Sequence, residues 1–545
     1  MNVRLLLLSS LEKTFPDEEP RAFDGKIEGF LNETVSFQAA WRALDDGFTR
    51  DIIRLRVESD VSVRIRHVCF VPVLYPAPAD ADTDFLRKTP GLYPDALTEV
   101  TNERFHVWGN RWESAWLDIE PDESVPAGVY PIRVILESPD GTELASANAE
   151  YRKIGLSLPK QTLIRTQWFH NDALCDAYQT EMFSEKYWRA AENFIRTAAK
   201  RGINCLLTPI HTPPLDTAVG GERKTCQLVD IEKNGDEYAF GFEKLRRWVK
   251  IARDAGIEWF EMAHLFTQWG AAHAPKIVAK ENGVEKRIFG WDTEATGNEY
   301  VGFLKQYLPA LKEELSALGI SERTIFHVSD EPNARSLDSY RAAKSVVEPF
   351  LEGFAVVDAL SDVEFYRQGI IRHPVPSNDH IREFLNERIP WLWTYYCCGQ
   401  YKNVSNSFIA MPSARTRVIG AQMYKYDIAG FLQWGYNFYN SQFSEYPVNP
   451  FLTTDGDGFT PAGDCFIVYP GPNETPIESI RLMVMDEAMN DIRALRLLES
   501  LKGREFALKL IDEGIEPLEF DRYPASPNYL LNLRKRVNAE IEKAL

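Results

Sequence analysis

Two adjacent carboxyls, Asp330 and Glu331, stand in the segment HVSDEP at 327–332. Like charges held together away from water do not both ionise at neutral pH. One carboxyl keeps a proton while the other stays charged. A glycosidic bond needs that division of labour, because the leaving oxygen takes up a proton as positive charge builds on the sugar carbon. The same dipeptide also has a plain structural use, as a surface pair at the start of a helix. Its place in the fold decides between the two.

Other polar and aromatic groups sit near the ends of apolar runs. Trp168 and His170 end TLIRTQWFH, and His211 ends NCLLTPIH. Glu261 and His264 lie in IEWFEMAHLF, with Gln268 just beyond, and Asp358 lies in FAVVDAL. Tyr395 and Tyr396 lie in WLWTYYCC, and Trp434 and Asn437 in GFLQWGYNFY. Aromatic rings cover the flat C–H faces of sugars, while Asp, His and Asn meet their hydroxyls. Trp168, His170, His211, His264, Asp358, Tyr395, Tyr396, Trp434 and Asn437 are therefore expected to contact a carbohydrate. The histidines show no HExxH or HxH spacing, so no metal is expected. No GxSxG elbow or phosphate-binding Gly-rich loop appears, and no cofactor is expected.

The elements that must position these groups follow from periodicity. Eight apolar runs, TLIRTQWFH, NCLLTPIH, IEWFEMAHLF, RTIFHVSDEP, FAVVDAL, IIRHPVP, WLWTYYCC and GFLQWGYNFY, read as strands. Helical patterns such as SEKYWRAAENFIRTAAKRG, FEKLRRWVKIARDAG and ARTRVIGAQMYKYDIA separate most of them. That alternation predicts a (β/α)8 TIM barrel over 159–474. In such a barrel the site forms at the C-terminal ends of the strands, where HVSDEP falls. Residues 1–158 carry short alternating runs (VSFQAAWRAL, IIRLRVES, GVYPIRVILES) and predict a β-sandwich. Residues 475–545 predict a helical segment, and Asn234-Gly235 a hairpin turn within 230–240.

Composition narrows the partners. The net charge is −19 with no basic run, which disfavours nucleic acid and an anionic membrane surface and leaves a glycan or oligosaccharide as the expected partner. A homo-oligomer is compatible with the sequence. Seven cysteines, among them the neighbours Cys397-Cys398, form no CxxC pair, which fits reduced thiols in a cytoplasm. The opening MNVRLLLLSS is expected to be a strand over Val3 to Ser9 rather than a secretion signal. No run reaches the roughly 20 apolar residues of a membrane span.

Several segments in order, SSLEKTFPDEEP, PGLYPDAL, VPAGVYPIRV, HVSDEP and PAGDCFIVYPG followed by PIESIRL, resemble the DUF4091 proteins, a group similar to glycoside hydrolase family 123. The resemblance implies a β-sandwich followed by a (β/α)8 barrel and β-N-acetylgalactosaminidase activity. It also implies a retaining mechanism in which the substrate's 2-acetamido oxygen attacks the anomeric carbon. Asp330 is then the acetamido partner and Glu331 the general acid/base. One departure is MVMDEAMNDIRALRLLES after SIRL, where the family carries an LRDGIEDYE-like acidic helix. Two rivals stay open. One is a glycosidase of the same fold for a sugar without the acetamido group, with Asp330 as nucleophile or base and Glu261 opposite. The other is a non-catalytic carbohydrate-binding protein.

Overall fold

The computed structural model describes residues 1–45 and 50–544. All eight expected strands form, as Ile164–Gln167, Cys205–Thr208, Trp259–Met262, Thr324–Phe326, Ala355–Ala359, His373–Val375, Trp393–Tyr395 and Gly430–Gln433. They pair in parallel in the order sixth, fifth, fourth, third, second, first, eighth, seventh. The remaining seam, between sixth and seventh, is bridged just past the strand ends. The Tyr395 amide donates to the Pro376 carbonyl (3.1 Å), and the Asn378 amide donates to the Tyr395 carbonyl (2.9 Å). The result is a nearly closed parallel barrel with helices outside it.

The strands are short because parallel strands buried on both faces need only enough length to fill the barrel. Ile164, Leu207, Ile325, Val357, Val375, Trp393 and Leu432 meet inside it. Gly430 makes room for the largest of them, since a Cβ there would lie 2.1 Å from the Trp393 ring. The longer apolar runs of the sequence continue past the strands into the loops that carry polar groups. Helix Glu185–Lys200 starts at Ser184, whose side chain accepts the Tyr187 amide, and its buried face (Tyr187, Ala191, Phe194, Ile195) packs on the barrel.

The residues before the barrel form all of a five-stranded sheet and five strands of a seven-stranded one. Their facing residues, among them Phe37, Trp41 and Leu117 on one and Ile53, Leu55, Val107 and Leu136 on the other, form a shared core. The opening segment is the strand Val3–Ser9, as its pattern predicts. Strands Lys26–Phe30, Gly91–Glu99, Arg104–Trp108 and Glu143–Ile154 carry weaker alternation and were not expected from the sequence. The hairpin at Asn234-Gly235 is present, joined by Ile277–Glu281 and Val284–Phe289 into a four-stranded sheet that the sequence did not announce.

The segment expected to be helical from 475 onward begins with a strand instead. Pro476–Ser479 pairs antiparallel with Gly91–Glu99, and Tyr469–Pro470 extends the same sheet. Helices Ile480–Lys502, Arg504–Asp512 and Pro527–Glu542 follow. Just inside the first helix, Arg481 binds both oxygens of Asp95 (2.9 and 2.9 Å) and the carbonyls of Gly463 (2.6 Å) and Phe466 (2.8 Å). This fully buried pair ties the first sheet to the segment behind the eighth barrel strand.

Removing one partner of such a pair leaves a buried charge unmatched, which costs about 3–5 kcal/mol. Arg481→Leu should therefore lower the urea midpoint strongly, and adding Asp95→Asn should restore part of the loss. Two losses that simply add would show that the pair is not coupled.

Candidate active site

The fourth strand ends at Phe326, but its main chain stays anchored for several residues more. Leu265 and Phe266 donate their amides to the carbonyls of His327 (3.1 Å) and Val328 (3.0 Å), and Trp269 donates to that of Asp330 (2.9 Å). Ser329 Oγ donates to the Thr267 carbonyl at 2.8 Å. Glu331 then takes a left-handed backbone (φ +43°), a conformation that costs a non-glycine residue of order 1–3 kcal/mol. The turn brings two neighbouring carboxyls, which a regular strand would send to opposite faces, into one cavity.

That cavity encloses about 120 Å³ and opens to solvent at its mouth. Asp330, Glu331, Trp168, Tyr395 and Trp434 line it, together with Asp216, Gln268, Trp269, Cys397, Cys398 and Phe459. Tyr395 donates its hydroxyl to Glu331 Oε1 at 2.8 Å. Burial raises both carboxyls. Asp330 lies well above the ordinary range, pushed up by desolvation and then by the charge of Glu331, with His327 opposing. Glu331 is raised by desolvation, with the Tyr395 hydroxyl opposing. The pair thus retains a proton where free carboxyls would have lost it, and it can act as an acid beside a base.

Beneath the cavity His327 lies between two carboxylates, all three fully buried. Its Nε2 meets Glu261 Oε1 at 2.6 Å and its Nδ1 meets Asp358 Oδ1 at 3.3 Å. Burial alone would lower this histidine, but Asp358 and Glu261 more than offset it and lift it to about 10, so it is an imidazolium. Glu261 also accepts the Trp168 indole N–H (2.9 Å) and the Thr166 hydroxyl. Asp358 accepts the Val328 amide (3.0 Å) and the Tyr340 hydroxyl (2.5 Å).

Six expected sugar contacts do not line the cavity. Asp358 is occupied by the network just described. His264 stacks on His327 at 4.3 Å, and burial and then the charge of His327 keep it neutral. His211 bonds the His264 carbonyl at 2.7 Å. His170 bonds the Trp434 carbonyl at 2.9 Å and sits beside Arg223; burial, then Arg223, lowers it to about 3. Asn437 spans the His170 backbone in both directions (2.9 and 3.0 Å). Tyr396 points outward, its hydroxyl 3.6 Å from Met485 Sδ, because side chains alternate along a strand and Tyr395 takes the inner side. The other five support the wall from behind.

Asp216, Trp269, Cys397, Cys398 and Phe459 line the cavity without having been singled out as contacts. Asp216 follows the second strand on a loop braced by Arg223, which donates to the Leu215 carbonyl (3.0 Å) and binds Asp172 bidentately (2.8 and 2.6 Å). Burial pushes Asp216 up to about 6. Trp269 is 44% exposed at the mouth and stands three residues past the run that forms the third strand. Trp434 is fixed by donating its indole N–H to Asp464 at 2.8 Å. The segment carrying Asp464 packs so closely on Gly435 that a Cβ there would lie 2.4 Å from the Asp464 carbonyl oxygen. For a metal, His264, His327 and Asp358 offer three ligand atoms within 4.8 Å of one another, but both nitrogens of His327 already face carboxylates.

A carboxyl raised by burial makes folding pH-dependent with a definite sign. The folded chain holds on the Asp330–Glu331 pair a proton that the unfolded chain releases above pH ~4, so stability falls as pH rises from there through the range in which the folded pair titrates. Asp330→Asn removes that penalty. Its melting temperature should exceed that of the unsubstituted protein at pH 8, and the gap should close near pH ~3.5. Equal melting temperatures at pH 8 would mean that Asp330 carries no burial penalty.

Comparison with known proteins agrees with this geometry. The family model described as "Glycoside hydrolase 123, catalytic domain" matches residues 168–498, more than half of the chain. Among solved structures, a family 123 glycoside hydrolase from Clostridium perfringens aligns over 99% of this chain and 98% of its own, with a TM-score of 0.75 at 13% identity. A β-glucuronidase from Parabacteroides merdae aligns over 90% of this chain and 52% of its own, with a TM-score of 0.32 at 11% identity. No match was found among the curated proteins. The barrel, the cavity at its C-terminal end and the match across the catalytic segment lead to one conclusion: this chain belongs to glycoside hydrolase family 123.

Proposed function

We propose that the chain is a retaining hydrolase that releases N-acetyl-β-D-galactosamine from a glycan by substrate-assisted catalysis, with Asp330 and Glu331 as its catalytic pair. The observation that carries this is the juxtaposition of the two raised carboxyls in one aromatic-walled cavity. The substrate's acetamido oxygen attacks the anomeric carbon; the acetamido N–H and the positive charge that develops on the resulting ring draw the pair's shared proton from Asp330 to Glu331, leaving Asp330 as the carboxylate that accepts that N–H and stabilises the charge. Glu331 gives its proton to the leaving oxygen and takes one back from the water that opens the intermediate. The Tyr395 hydroxyl bonds one Glu331 oxygen and leaves the other to carry the proton. Trp168, Trp434, Tyr395 and Trp269 would face the sugar rings.

The Clostridium perfringens relative is described as hydrolysing glycolipid glycans. We carry over the glycan class and not the lipid. A β-sandwich at 1–158, a (β/α)8 barrel at 159–474 and a C-terminal segment at 475–545 complete the proposed organisation. Seven unpaired cysteines support a reducing, cytoplasmic setting.

A second reading has a specific observation behind it. If the substrate lacks an acetamido group, a protein carboxylate must attack or activate the attacking water. Glu261 is fully buried and holds three partners, so it does not meet a sugar. Asp216, on the cavity wall, is the carboxylate placed to do so.

Three variants separate these possibilities. Glu331→Gln should slow natural glycosides far more than nitrophenyl glycosides, by about 10²–10⁴-fold, since a good leaving group needs no acid. Asp330→Asn should slow both alike, by about 3 kcal/mol of lost charge stabilisation. Asp216→Asn should cost less than either on 2-acetamido substrates. Turnover of aryl glycosides lacking the acetamido group, abolished by Asp216→Asn, would replace substrate assistance with a protein nucleophile or base.

A further inference from the structure

Cys397 and Cys398 follow the seventh strand and serve no step of the proposed reaction. Both are free and partly exposed, and both line the cavity that holds Asp330 and Glu331. The loop beneath them is pinned. The Gln400 amide donates to the Cys397 carbonyl at 3.1 Å, closing a turn with Cys398 and Gly399 at its centre. The Gln400 side chain accepts the Cys397 amide (2.9 Å) and donates to Asp379 (3.2 Å). Asn406 donates to the carbonyls of Cys397 and Gln400, each at 2.8 Å. Two neighbouring thiols are thus held on one wall of the cavity that contains the carboxyl pair.

We propose that Cys397 and Cys398 form a dithiol site that captures trivalent arsenicals within the cavity. The chemistry balances without an oxidant. With an aryl arsenoxide, ArAs=O, two S–As bonds form, the As–O bond breaks, and the oxygen leaves as one water carrying both thiol protons. Arsenic stays trivalent. The second bond closes within the protein, so it has the advantage of an intramolecular step that a single thiol lacks. Oxidation to a disulfide fits these thiols less well. It needs a two-electron oxidant, which neither the structure nor the proposed reaction supplies. A captured aryl group shares the wall with Glu331 and Trp434 and occupies the space a ligand would need.

Intact-mass measurement on the full chain after exposure to phenylarsine oxide tests this. One phenylarsenic adduct is expected on the folded protein, removed by 2,3-dimercaptopropanol and resistant to an equal thiol concentration of 2-mercaptoethanol. Cys397→Ser and Cys398→Ala should each lose it. Because the readout is mass, a variant with altered turnover still reports, and melting curves show whether it is folded. An adduct that persists in both variants, that a monothiol strips, or that forms only after unfolding in guanidinium overturns the proposal. Turnover of a nitrophenyl N-acetylgalactosaminide, an arm that rests on the proposed function, should fall at least tenfold on adduct formation. An adduct without that fall overturns capture within the cavity. A protein inactive on every sugar leaves the mass result to decide the site and counts against the glycosidase reading alone.

Discussion

The imidazolium of His327, clasped by Glu261 and Asp358, is the interaction on which the rest of the site depends. Three ionisable groups stripped of water carry a desolvation cost of several kcal/mol per ion, and only close pairing with further hydrogen bonds offsets it. Here each carboxylate is met from several sides. Glu261 takes the Trp168 indole and the Thr166 hydroxyl, and Asp358 takes the Val328 amide and the Tyr340 hydroxyl. One triad therefore sets a cavity ring, the main chain just upstream of Asp330, and the helix that follows. Its positive centre also opposes the upward shift of Asp330, so the ion that fixes the geometry tunes the electrostatics as well.

The barrel was legible because parallel strands buried on both faces leave continuous apolar runs, and eight of them alternate with helical patterns. Asp330-Glu331 was legible as a pair because the barrel rule locates function at strand ends. That rule fixes height along the barrel axis and says nothing of direction. His170, His211, His264, Asp358, Asn437 and Tyr396 all stand at the expected height, yet their side chains brace the wall or face the helices. Trp269 and Asp216 reach the cavity from loops, where no periodicity exists to predict which way a residue points. The four-stranded sheet around Asn234-Gly235 was half visible: its turn announces itself, but KIVAK and VEKRIF carry charges at spacings that blur the alternation.

The site gathers features that cost stability. Two carboxyls share a cavity at the end of one strand, Glu331 holds a left-handed backbone, and Asp216 and Asp464 are pushed by burial to about 6 and about 7. Such concentrations of raised carboxyls belong where proton transfer is needed at neutral pH. The buried Arg481–Asp95 and Arg223–Asp172 pairs lie directly behind these features and hold the segments that present them.

The completion of the first sheet by Pro476–Ser479 has a consequence for how the molecule comes into being. During synthesis the sheet's strand Gly91–Glu99 emerges long before its neighbour, with the whole barrel translated in between. Arg66 and Arg201 wait likewise for Glu478, which they bind at 2.5 Å each. These contacts have very high sequence separation, and such topologies fold slowly with edges exposed meanwhile. The nascent chain thus carries an unpaired strand edge, and Arg66 holds Asp118 but not yet Glu478, until the barrel is made. The front sheet therefore gains its last strands only after the barrel's sequence has left the ribosome.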